Sequence, residues 1–292
     1  MHKPVLLNEI LQLAQEIEPR RILDVTFGRG GHAQALLQLP TQPVIVAMDQ
    51  DTDAILYGQQ NFSEEIATGR LSLVHGSFHD ALDSLPQPSE GFDIILADLG
   101  VSSPQLDEAQ RGFSFYHDGP LDMRMNRAQP TTAADLINSW PEVELLRIFQ
   151  EYGEIRRPHR VLRAIVQDRQ TTPFTTTRQL AGLIERVEGW RRKGHHPATT
   201  YFLALRMAIN NELEGLRESI PDLMRALSAK GRLIIITFHS LEDRIIKYAF
   251  RDSPELGFPL FKKVIIPSKE EQQDNPRSRS AKLRIFQRGS PS

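Results

Sequence analysis

The apolar run Arg21-Ile22-Leu23-Asp24-Val25-Thr26-Phe27 stops abruptly in Gly28-Arg29-Gly30-Gly31-His32. A buried strand that turns through glycines into a helix opens a βαβ unit, and that leaves few folds available. The helix follows through Ala33, Leu36, Leu37 and Leu39. Residues 44–48 read as a second buried strand ending at Asp49, and Asp51 is placed to cap a helix through Ile55 and Leu56. Residues 71–74 and the run from Phe92 to Asp98 add a third and a fourth strand. Strands alternating with helices at this spacing predict an α/β chain with a parallel, doubly wound, Rossmann-like sheet.

After Asp98 the alternation stops, and the next good strand is at 233–238. A crossover does not need that length, and structureless loops of that length are rare. The stretch instead carries helical periodicity at 143–152, 155–170, 177–190 (Thr176 or Thr177 as cap) and 199–219. These patterns predict a helical subdomain at 108–205, inserted into a sheet domain made of 1–107 and 206–292. Near the end, 263–266 and 283–286 read as an antiparallel hairpin closing the sheet, with 267–280 as a polar, mobile loop between them.

Glycines after the first strand let a ligand approach the backbone, because no Cβ stands in the way. An acid at the end of the second strand, about 20 residues on, can hold a ribose hydroxyl pair. Gly28 and Asp49 have that spacing, and Gly28-x-Gly30-x-x-Ala33 also fits the dinucleotide fingerprint, so a nicotinamide cofactor stays open at this point. The same glycines could serve a tight turn alone. Asp98 shifts the balance. It ends the fourth strand, where ligands of open α/β sheets sit, and a carboxylate there suits the cationic end of a sulfonium cofactor better than a transferable hydride. Its alternative role is a helix or turn cap.

The chain has no cysteine, which excludes disulfides, thiolate metal sites, iron–sulfur clusters and a Cys nucleophile. No metal site is expected. No run approaches the ~20 apolar residues of a membrane helix, and the N-terminus lacks a signal or transit pattern, so the expected location is cytoplasmic. Net charge is -2, giving no global basic footprint. Its distribution is uneven: acids crowd 41–110 around one base, Arg70, whereas 147–206 and 277–288 are rich in Arg and Lys. Such runs are commonly solvated faces, yet this one suits a cationic cofactor on one side and RNA on the other.

Five motifs resemble one family. They are Asp24-Val-Thr-Phe-Gly-Arg-Gly-Gly-His32, Asp98-Leu-Gly-Val-Ser-Ser-Pro-Gln-Leu-Asp107, Arg111-Gly-Phe-Ser-Phe115, Gly119-Pro-Leu-Asp-Met-Arg-Met125 and Phe238-His-Ser-Leu-Glu-Asp-Arg244. Together they are similar to the bacterial ribosomal RNA small-subunit methyltransferase H family, also called MraW. The likeness runs from Pro4-Val-Leu-Leu-Asn-Glu9 to Asn275-Pro-Arg-Ser-Arg-Ser280. It implies a class I methyltransferase fold and transfer from S-adenosylmethionine to N4 of one cytosine in the decoding region of 16S rRNA. It further implies that Gly30, Gly31 and His32 line the cofactor site, Asp49 holds the ribose, Phe78 packs by the adenine, and Asp98 and Gln105 complete the pocket. Taken alone, Phe78 reads as core and His32 as a polar residue at a helix start. Two stretches depart from the family pattern: Ile155 replaces a Glu, and Thr200 and Leu203 replace an Arg and a Gln.

The absence of cysteine excludes the covalent route to the C5 carbon of a pyrimidine. The resemblance implies the exocyclic nitrogen as target, reached by direct displacement. Asp98 or nearby backbone carbonyls are the candidate acceptors for the amino hydrogens. Ser102 and Ser103 beyond the fourth strand, and His239 and Ser240 beyond the fifth, are candidates for the target nucleotide. Ser240 reads equally as the cap of the helix that follows. Arg124, Arg244, Arg277 and Arg279 are candidate phosphate contacts, each with a structural ion pair as its alternative. The expected partner is 16S rRNA within the small ribosomal subunit, and a homodimer stays open. Rival readings keep the cofactor but change the acceptor to DNA, protein or a small molecule, or discard catalysis for an RNA-binding assembly factor.

Overall fold

The computed structural model describes residues 4–79, 85, 88–190 and 196–290. The chain divides into two compact units, Met1–Gly100 with Leu213–Ser292, and Val101–Glu212. The sequence reading draws these borders at 107/108 and 205/206.

The first unit holds, in chain order, α1 (Leu7–Gln15), β1 (Arg21–Asp24), α2 (Gly31–Leu37), β2 (Val44–Asp49), α3 (Thr52–Asn61), α4 (Ser63–Ala67), β3 (Leu71–His75) and β4 (Phe92–Asp98). The second contributes α5 (Ser103–Asp107), α6 (Ala133–Ser139), α7 (Glu142–Glu151), α8 (His159–Asp168), α9 (Thr177–Glu188) and α10 (Ala198–Ile209). The chain then returns through α11 (Glu212–Arg225) to β5 (Leu227–Thr237), α12 (Ser240–Arg251), β6 (Gly257–Pro259), α13 (Lys269–Asp274) and β7 (Lys282–Arg288).

Seven strands form one sheet in the order β3-β2-β1-β4-β5-β7-β6. The first five are parallel, and β7 runs antiparallel to both β5 and β6. Each central strand is buried on both faces, so consecutive apolar residues serve opposite cores. Ile22, Ile45, Ile94 and Ile234 pack on one side with Leu13 of α1 and Leu36 of α2. Leu23, Met48, Ile95 and Leu233 pack on the other with Ile220 of α11 and Ile246 of α12. Strand order reverses between β1 and β4, and the carboxyl ends of those two strands are where ligands of such sheets bind.

The doubly wound sheet and its antiparallel closure agree with the sequence, but three details differ. The edge partner of β7 is Gly257–Pro259, not 263–266, of which only Ile265 makes an isolated bridge to Leu283. Segment 267–280 is not a bare loop: it carries α13 and a 3-10 turn, Pro276–Ser280, and Leu6 N donates to Glu271 at 2.8 Å. The helix expected at 199–219 is two helices. The break falls at Asn210 and Asn211, where Asn211 takes φ 51° and the buried Asn210 side chain bonds the backbone of Met123 and Met125.

In the second unit, helix starts follow local chemistry. Thr132 with Asp135, and Thr176 with Gln179, form reciprocal capping boxes at α6 and α9. The segment from 155 becomes helical only at His159, after Pro158 at the cap position.

Candidate active site

Three parallel strands end in aspartate: Asp24 on β1, Asp49 on β2 and Asp98 on β4. Their depths differ, because Asp24 pairs in register with Ala47 and Leu96, two residues short of Asp49 and Asp98. The alternation of side chains along a strand puts all three carboxylates on one face, with Asp24 one pleat deeper. Asp24 is only 1% exposed. Burial raises its pKa from 3.8 to about 7, against the hydrogen bond from Thr26 N and the charge of His32. Burial likewise raises Asp49 to about 6, against the hydrogen bonds it accepts from Asp51 N at 2.9 Å and Gly28 N at 2.7 Å.

Asp49 therefore ties the glycine turn to the end of β2. Two of its roughly four lone-pair sites are taken by those amides, and the others can accept ribose hydroxyls. Gly28 and Gly30 have φ 54° and 70°, a left-handed turn that costs other residues strain. A Cβ on Gly30 would lie 2.6 Å from the Phe62 ring and 2.7 Å from Phe27, and one on Gly31 would lie 2.6 Å from Pro4. Close packing of the turn, beside ligand approach, explains these glycines.

His32, in the first turn of α2, is 7% exposed, and neither ring nitrogen has a hydrogen-bond partner. Its Nε2 lies 3.5 Å from Asp98 Oδ2, an ion-pair distance, while Asp98 Oδ1 is buried with no hydrogen bond. Buried polar atoms without partners are costly, and at the carboxyl end of a parallel sheet a bound ligand can satisfy them. The Asp98 backbone is fixed by its N–H donating to Thr26 Oγ1 at 2.6 Å. Carboxylates on three strand ends, with an unbonded imidazole among them, suit a cofactor that carries positive charge and a ribose diol. Phe78 is 7% exposed and packs with Leu23, Val25 and Met48, its ring 4.0 Å from that of His79.

Beyond β5, which runs beside β4 with Ile236 opposite Asp98, comes His239. It, and not Ser240, is the N-cap of α12. Its Nδ1 accepts from Glu242 N at 3.4 Å, and Nε2 stands 3.0 Å from Glu242 Oε1. Glu242 is 2% exposed and accepts in return from the amides of Phe238 and His239. The His239 ring is thus engaged in capping through Nδ1, while its buried Nε2 makes no hydrogen bond. Arg244, Arg277 and Arg279 are exposed, and Arg277 lines a cavity of about 450 Å³ with Pro4, Asn8 and Glu9.

Ser102, Ser103, Gln105 and Arg124 belong to the second unit. Ser102 caps α5, and Gln105 Oε1 accepts from Ser102 N at 2.9 Å in a capping box. Arg124 forms a fork with Asp122 at 2.7 and 2.8 Å and donates to the carbonyls of Arg127 and Gln129. Each of the three Arg124 guanidinium nitrogens therefore has a partner within the second unit.

Sequence reasoning passed over Asp24, Thr26 and Glu242. Asp24 stands in the middle of the apolar run 21–27, and only the folded pairing ends β1 there. Thr26 acts through a bond to the backbone of another strand, which no sequence spacing announces, whereas Glu242 stands three residues after the His239 cap, a capping-box spacing that is legible in the sequence.

The MraW methylase family model matches residues 1–289. The ribosomal RNA small subunit methyltransferase H of Bdellovibrio bacteriovorus is 56% identical over 290 residues, covering 98% of this chain and 88% of that protein. Its namesake in Crocosphaera subtropica is 46% identical, covering 99% and 89%. A solved structure of a candidate rRNA methylase from Clostridium thermocellum shares the fold at TM-score 0.50 and 8% identity, covering 99% of this chain and all of that one. With a match over nearly its whole length, the chain belongs to the MraW methylase family.

Proposed function

We propose that this chain transfers a methyl group from S-adenosylmethionine to the exocyclic N4 of one cytidine in the decoding region of 16S rRNA, in the cytoplasm, by direct displacement. The observation that carries the reading is the sheet edge where β1, β2 and β4 each end in aspartate around the unbonded His32 ring. Membership of a methylase family supports the reaction, and the names of the relatives support rRNA of the small subunit as substrate.

S-adenosylmethionine supplies, when bound, an electrophilic methyl group on a cationic sulfur. Asp24, Asp98 and His32 would hold its charged end, and Asp49 its ribose hydroxyls. Phe78 would line the adenine side. The lone pair of the cytosine amine is delocalised into the ring, so the protein must localise it. Oxygens that accept the amino hydrogens do this and stabilise the positive charge developing on nitrogen. Asp98, or the backbone carbonyls beside it, would take that task. Alignment of the amine with the methyl group contributes several kcal/mol more, up to about 7–11 in favourable cases. With no cysteine in the chain, a thiol adduct at the pyrimidine ring has no nucleophile. The helical unit is proposed as the part that recognises RNA, with Ser102 and Ser103 near the target and Arg244, Arg277 and Arg279 of the first unit toward phosphates.

The test is transfer of label from S-adenosylmethionine to 30S subunits and to free 16S rRNA, followed by nucleoside mass spectrometry. N4-methylcytidine is the expected product. Label on the C5 carbon, or in protein, overturns the proposal.

A further inference from the structure

Two of the most exposed large hydrophobic residues stand in the second unit. Tyr116 is 69% exposed and Trp190 56%. They are the outer ends of one run of rings. Tyr116 lies 5.0 Å from Phe115, Phe115 lies 4.5 Å from His196, and His196 lies 5.0 Å from Trp190, centroid to centroid. The run is pinned from beneath by Phe202 on α10, which is 4% exposed and meets Phe115 edge-on at 4.8 Å. Glu185 on α9 accepts the indole N–H of Trp190 and faces His196 Nε2 at 3.7 Å, so the indole plane is oriented. Aromatic rings held rigid yet open to solvent lose little entropy when a flat partner stacks on them.

One guanidinium stands at the Tyr116 end of the run. Arg178 reaches the Tyr116 carbonyl at 3.5 Å, while Arg186 pairs with Asp168 at 3.0 Å. The sequence from 147 to 206 carries twelve Lys and Arg residues against five Asp and Glu. A protein partner would require an apolar face of larger continuous area; exposed rings with a guanidinium beside them match a base with its phosphate.

We infer that Tyr116 and Trp190 form a stacking platform for unpaired bases of the small-subunit rRNA. The inference rests on the rRNA reading above, but not on N4 as the methylated atom. The platform accepts any base, because every base offers a π-face, and it adds affinity without sequence choice.

The test compares the natural chain, the double variant Tyr116→Leu with Trp190→Leu, and the aromatic variant Tyr116→Phe with Trp190→Phe. Each is measured for binding to free 16S rRNA and to 30S subunits, with S-adenosylmethionine calorimetry reporting that the first unit is intact. The leucine pair should weaken RNA binding about tenfold or more while the phenylalanine pair restores it. Ultraviolet crosslinking should place RNA adducts on the peptides containing Tyr116 or Trp190. Equal binding by all three chains, or no binding by the natural chain to either RNA form, overturns the inference. So does a change from dimer to monomer in the leucine pair with RNA binding unaltered, which would make the rings a contact between copies. Failure of N4 specificity would appear only in the nucleoside analysis.

Discussion

Asp24 shows how a single backbone register sets a titration. Its folded-state pKa of about 7 exceeds the ordinary 3.8, so the folded protein keeps a proton that the unfolded chain releases. Stability of the cofactor-free protein therefore falls as pH rises from about 4 toward 7, and levels off above. Asp49, raised to about 6, contributes in the same direction over the lower part of that window. Thermal melts without cofactor should show Tm declining between pH 5 and 7.5, and Asp24→Asn should flatten the decline; an unchanged slope would contradict the assignment. A cationic ligand favours the ionised forms, so S-adenosylmethionine should bind more tightly at pH 7.5 than at 5.5. Calorimetry in two buffers should read proton release on binding, and proton uptake would reverse the argument. Asp98 is tested differently. Asp98→Ala should lower single-turnover methyl transfer by about a hundredfold or more, and near-normal transfer would remove it from the chemistry.

At the scale of elements, the glycine turn and the helix caps carry opposite lessons about substitution. Gly30→Ala meets both a positive φ of 70° and two phenyl rings within 2.8 Å of the new Cβ. It should destabilise the protein by about 1–3 kcal/mol and displace α2, with a lower Tm and weaker cofactor binding. Gly182 lies within α9, where a new Cβ meets nothing within 4 Å. Gly182→Ala should raise stability by about 0.5–1 kcal/mol, because glycine is a poor helix former. Denaturation of the two variants side by side checks both signs.

For the whole molecule, the net charge of -2 means that attraction to RNA must come from local clusters. Log affinity for single-stranded 16S segments should fall linearly with log salt, by about 0.7 per phosphate neutralised. A slope near zero would assign binding to stacking alone. No helix among the described residues is long and apolar enough to cross a membrane. The sheet is assembled from two pieces of chain, Met1–Gly100 and Leu213–Ser292. β4 and β5 pair directly although α5 to α10 intervene between them in sequence.

The sequence by itself determined the alternation of strands and helices, the glycine turn, the acids Asp49 and Asp98 at strand ends, and caps such as Asp51 and the Thr176–Thr177 pair. These signals are local: a two-residue pleat, a helical period, a side chain bonding an amide a few residues on. Only the tertiary structure decided that Asp24 lies deepest, since its depth comes from pairing with Ala47 and Leu96. Pairing also chose Gly257–Pro259 as the edge strand, a run too short to show a period of its own. The occupation of Arg124 by Asp122 and the gathering of Tyr116, His196, Trp190 and Phe202 were likewise beyond the sequence. Which lone pairs and ring faces are already used depends on where folded neighbours come to rest, and spacing along the chain does not record it.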